Sequence, residues 1–85
     1  MYQEIIHQMP TLFIIFGLRF FFYSNDHEPI HVHVSKEGAE AKFRIEPMEL
    51  VENHGLKPQD IKIAEAAILE NRDVIIERWK EYFNS

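Results

Sequence analysis

A change of hydrophobic period constrains this chain more than any other feature. Ile30 to Lys36, IHVHVSK, and Glu40 to Glu46, EAKFRIE, place apolar residues at every second position. Half-buried strands show this pattern, because their side chains alternate between two faces. After His54-Gly55 the period lengthens. Ile61, Ala64, Ile68 and Leu69 recur at helical spacing behind Pro58, a residue suited to a first helical turn. Asn71-Arg72-Asp73 reads as a break, and Ile75, Trp79, Tyr82 and Phe83 make the apolar stripe of a second helix. Strands followed by helices predict an α+β domain: a small antiparallel sheet of three to four strands with two C-terminal helices packed on one face.

The apolar run LFIIFGLRFFFY, Leu12 to Tyr23, fits this frame as a strand. It is shorter than the ~20 residues a membrane helix needs, and Arg19 interrupts it. The preceding MYQEIIHQ carries Glu4 and no Lys or Arg, unlike a signal peptide. A single residue, Gly17, separates LFIIF from LRFFFY. That is too short for a hairpin loop, so the reading is one long strand bent at a glycine bulge. Residues 1–8 read as an N-terminal appendage, with Met9-Pro10-Thr11 an alternative start, and residues 9–85 as one domain. Asn25 to Pro29 is a turn cluster, Glu37-Gly38 a tight turn, and MELVEN after Pro47 a short edge strand.

The chain has no cysteine, so disulfides, thiolate metal sites and cysteine nucleophiles are excluded, and a cytoplasmic location is expected. Its formal net charge is -5, and both halves are acidic. Loose nucleic-acid binding draws on excess Lys and Arg, so it is not favoured. Neither is a membrane partner.

Parity assigns the strand faces. Leu18, Phe20 and Phe22, then Ile30, Val32 and Val34, then Ala41, Phe43 and Ile45 form the expected core face. A two-residue turn at Glu37-Gly38 pairs His33 with Lys42 and His31 with Arg44. A loop over Asn25–Pro29 pairs Phe21 with His33 and Tyr23 with His31. The expected binding patch is therefore Phe21, Tyr23, His31, His33, Lys42 and Arg44 on the outer face, with Asp26 and His27 at its rim.

Three chemistries compete for this patch. Asp26, His27, His31 and His33 are a usable ligand set for a divalent metal. Lys42 and Arg44 beside them repel a cation and supply no supporting carboxylate, so no cofactor is the favoured reading. His27, His31 and His33, oriented by Asp26, also suit acid–base catalysis in a small hydrolase or nuclease, since histidines titrate near neutrality. No P-loop or nucleophile motif accompanies them. HVHVSKE echoes the cupin pattern, but the flanking glycines are missing. The third alternating histidine of the histidine-triad hydrolases is replaced by Ser35. Finally, Phe21 and Tyr23 exposed beside an apolar strand would need covering, by a protein partner or by self-association as a dimer.

Met9-Pro10-Thr11, Gly17, Tyr23 and the string D-H-x-P-x-H-x-H-V at Asp26–Val34 resemble small bacterial proteins of the domain-of-unknown-function family numbered 4160. Leu56-Lys57-Pro58 and Glu77-Arg78-Trp79 are similar to its later segments. Ile30 stands where that family has a second proline, and Val32 where it has phenylalanine. The resemblance implies a component of a small two-gene, toxin–antitoxin-like module. The expected function is partner binding in such a regulatory pair, with the histidine hydrolase, metal-assisted or not, as the alternative.

Overall fold

The computed structural model describes residues 11–83. The proposed appendage, residues 1–8, lies outside them. Five strands are followed by two helices: β1 (Thr11–Ile15), β2 (Leu18–Phe21), β3 (His31–Lys36), β4 (Ala39–Ile45), β5 (Met48–His54), α1 (Pro58–Glu70) and α2 (Arg72–Phe83). The strands form one antiparallel meander in the order β1-β2-β3-β4-β5. The α+β class is as expected, and the sheet has more strands than predicted.

The extra strand comes from Phe16 and Gly17. LFIIF and LRFFFY are not one bent strand. Ile15 pairs with Leu18, and the chain reverses through Phe16 (φ 52) and Gly17 (φ 79). Two consecutive positive φ values make the tight turn whose twist matches a hairpin. Phe16 resembles a strand residue by type, which is why its role as half of the loop was hidden. Glu37 (φ 49) and Gly38 (φ 87) repeat the device between β3 and β4. At the other end of the sheet, Met48–His54 is a full edge strand rather than a short one.

The core lies between one face of the sheet and both helices. Leu18, Phe20, Phe22, Val32, Val34, Ala41, Phe43 and Ile45 meet Ala64, Ala67, Ile68, Ile75 and Trp79 there. Phe22 packs edge-on against Trp79 with centroids 5.2 Å apart. The buried stripe of α1 runs through Ala67 and Ile68, leaving Leu69 55% exposed, against the expectation that Leu69 is core. Lys36 joins the sheet to α1 by an ion pair of 3.4 Å with Asp60. No helix among the described residues is long and apolar enough to cross a membrane.

Candidate functional site

The predicted registers around β3 are present. His31 pairs with Arg44 and His33 with Lys42 across β4, and Phe21 pairs with His33 across β2. Tyr23 does not pair with His31. The β2 ladder ends at Phe21, and the Tyr23 N–H donates instead to Asp26 Oδ2 at 2.9 Å. With the Asp26 N–H donating to the Tyr23 carbonyl at 3.1 Å, this reciprocal pair folds the Asn25–Pro29 loop back over the outer face of the sheet.

That loop changes the character of the patch. An exposed outer face was expected, yet Phe21 is 1%, His31 6% and His33 7% exposed. Both faces of β3 are covered. The Arg19 guanidinium lies 4.0 Å from the Phe21 ring centroid. Tyr23 crosses His33 edge-on at 4.5 Å and donates its hydroxyl to the Glu40 carboxylate at 2.9 Å. The His31 ring also meets Trp79 of α2 at 5.2 Å. His31 therefore sits where the sheet end, the loop and the helix layer converge, rather than on an open surface.

The loop also delivers Asp26. Its Oδ1 lies 3.1 Å from His31 Nε2, and its Oδ2 lies 3.1 Å from His33 Nε2. Candidate ligand atoms of Asp26, His31 and His33 all fall within 4.8 Å of one another. Donors bound to one ion at ~2.0–2.1 Å stand roughly 3.0–3.4 Å apart. The two carboxylate–imidazole separations fall in that range, while the set as a whole spreads over up to 4.8 Å and would have to draw in around one ion.

The outer nitrogens face oxygens as well, His31 Nδ1 within hydrogen-bond distance and His33 Nδ1 beyond it. His31 Nδ1 lies 2.9 Å from the Pro29 carbonyl, which can only accept, so this nitrogen carries the proton. His33 Nδ1 points at Glu40 Oε2, 3.6 Å away. Both rings thus turn Nε2 inward and Nδ1 toward an outer oxygen. Histidines that hold metals are oriented in this way.

Burial pushes the His33 imidazole below the usual histidine value, outweighing the pull of Asp26 and Glu40. His33 is therefore neutral at pH 7, with one lone pair available. Desolvation pushes the Asp26 carboxyl up. Hydrogen bonds from the Tyr23 N–H, His33 and His31 more than offset this and hold it below the ordinary aspartate value. The carboxylate is ionised and the neighbouring imidazole is not.

Of the four metal candidates, three converge. His27 is exposed and lines the mouth of a cleft of ≈ 480 Å³ beside the cluster, together with Asp26, Glu28, His31, Lys42 and Arg44. Arg44 is engaged by Glu49, its register neighbour on β5. Glu40 is the residue that sequence reasoning missed. Its signal was present: it faces Ser35 across β4 and so shares a face with Lys42 and His33. It supplies the supporting carboxylate that the outer face was expected to lack.

A family model described as "Domain of unknown function (DUF4160)" matches residues 17–80. No curated protein and no solved structure matches the chain.

Proposed function

The chain belongs to the DUF4160 family, and we propose that Asp26, His31 and His33 hold a divalent transition metal, making it a small metal-dependent hydrolase. One observation carries this reading. With Nδ1 donating to Pro29, His31 turns Nε2 at an ionised Asp26 oxygen 3.1 Å away, so Nε2 faces that oxygen through either a second proton or a metal ion. Two acceptors cannot rest at that distance without a positive charge between them. A second proton on His31 would serve that one contact. A metal ion serves His33 as well, because His33 converges on the same carboxylate. Two imidazoles and a carboxylate leave further coordination positions for water, the pattern of catalytic rather than structural sites. Asp26 and His31 also line the cleft, so a bound water would face solvent-accessible space. The test is metal analysis of tag-free protein after Zn²⁺ loading and dialysis. One equivalent in the wild type and none in His31→Ala/His33→Ala supports the reading, and no equivalent in the wild type overturns it.

A second reading, docking of a protein partner as in a toxin–antitoxin-like pair, keeps one observation of its own. Among the described residues β1 is an edge strand, and Ile14 and Phe16 at its end are 64% and 79% exposed. An edge with apolar side chains is a template for an added strand. Co-expression with the product of the adjacent gene tests it: a co-purifying complex supports it, and a monomer alone speaks against it.

A further inference from the structure

We infer that the cleft beside the metal centre takes a phosphate group, gripped jointly by the metal ion and by Lys42 and Arg44; the inference rests on the metal reading above. The first argument is charge. Asp26 and Glu28 on the loop offset Lys42 and Arg44 on β4, so the cleft lining is balanced without a metal. A divalent ion at Asp26 adds two positive charges to a confined space already holding two fixed cations. Glu49 already engages Arg44, so Lys42, which has no ion pair among the described residues, is the cation left facing the ion. The register places Lys42 opposite His33 and Arg44 opposite His31, so the cations are adjacent strand neighbours of the two imidazole ligands. Bound alone, the ion is opposed by them. Bound with a phosphate dianion, all three positive groups have a shared counter-charge.

The second argument is unsatisfied hydrogen bonding. Among the described residues, the Lys42 side chain has neither an ion pair nor a hydrogen bond. Arg44 spends Nη2 on Glu49, its Nε is buried out of a ligand's reach, and its Nη1 has no hydrogen-bond partner among the described residues. Arginine's fixed fork matches phosphate oxygens, and lysine adds a point charge. A carboxylate ligand would satisfy fewer of these donors than the several oxygens of a phosphate.

Phosphate esters then become the substrate class of the proposed hydrolase. Hydrolysis would join a water oxygen to phosphorus as the ester P–O bond breaks, one water proton leaving with the alcohol and the other staying on the phosphate; Asp26, His31 and His33 would hold the ion, whose charge would polarise that water.

Joint binding makes a reciprocal demand: phosphate must tighten the metal as much as the metal tightens phosphate. Mn²⁺ is titrated into tag-free protein, with free Mn²⁺ counted by EPR, in millimolar inorganic phosphate or in chloride of equal ionic strength. Phosphate should tighten Mn²⁺ on the order of tenfold in the wild type. In Lys42→Met, Mn²⁺ alone should bind at least as tightly as in the wild type, because a repelling cation has gone, and the phosphate effect should shrink. Lys42→Gln serves if the Met variant does not fold. Equal Mn²⁺ affinity with and without phosphate overturns the phosphate site while leaving the metal reading intact. Absence of Mn²⁺ binding in both conditions overturns both. An undiminished phosphate effect in the Lys42 variant also overturns the proposed grip.

Discussion

His31 Nε2 stands 3.1 Å from Asp26 Oδ1, in a ring whose other nitrogen is already committed to a backbone carbonyl. The loop that carries Asp26 is thereby tied to β3 by a contact that a bound cation strengthens. A metal binding the folded state alone stabilises it by mass action, about 2.7 kcal/mol at a hundredfold excess over Kd. For a domain of this size that is a rise in Tm on the order of 10 °C. Thermal melts with Zn²⁺ against EDTA should show this rise in the wild type and none in Asp26→Asn. Equal melts in the wild type would contradict a site of useful affinity.

Acid should act on the same residue. The Asp26 carboxyl is held below the ordinary aspartate value by the Tyr23 N–H and the histidines, against the desolvation that pushes it up. The folded state therefore binds fewer protons there than the unfolded state. The resulting stability is present above the unfolded value near ~3.9 and is lost as pH falls through the lower folded value. Urea unfolding of metal-free protein from roughly pH 5 downward should fall more steeply for the wild type than for Asp26→Asn. Parallel curves would show that these hydrogen bonds contribute nothing in solution.

What was legible in the sequence follows from how local each signal is. The His33–Lys42 and His31–Arg44 pairs were readable because Glu37-Gly38 fixes the register over a few residues. The hairpin at Phe16-Gly17 was not, since a phenylalanine at φ 52 gives no compositional sign of a loop. Parity placed Phe21 and Tyr23 on the outer face but could not show that face being covered. That depends on Asp26 accepting from the Tyr23 N–H and pulling the loop inward, a contact between residues that no period links. The same loop movement joins Asp26 to two histidines, so the cluster's members were legible and its geometry was not.

Glu40 and Tyr23 separate support from simple packing. Glu40 faces His33 Nδ1 at 3.6 Å and accepts the Tyr23 hydroxyl at 2.9 Å. Groups that orient a metal-bound histidine typically contribute about tenfold or more in metal affinity. Glu40→Gln should therefore weaken Zn²⁺ by about tenfold while costing little stability. Tyr23→Phe should cost about 1 kcal/mol in denaturant melts, because Glu40 is partly exposed and rehydrates. It should leave Zn²⁺ affinity nearly unchanged, since the Glu40–His33 contact survives. Equal affinity losses in the two variants would mean that both act through general loosening of the site.

Phe16 offers a different test, because its cost to the monomer is visible and its benefit is not. It holds φ 52, a conformation disfavoured for residues with a Cβ, and is 79% exposed. Left-handed backbone costs a non-glycine residue roughly 1–2 kcal/mol, and asparagine tolerates it better. Phe16→Asn should therefore raise monomer stability by about 1 kcal/mol in urea melts. If the edge of β1 docks a partner, the same change should abolish co-purification of that partner, because a large apolar anchor is replaced by a polar one. A variant that is both more stable and fully able to bind would leave the exposed phenylalanine without a docking role. A less stable variant would mean that the ring packs against α1 more than its exposure suggests, since Phe16 borders a groove formed with Ile63 and Ala66.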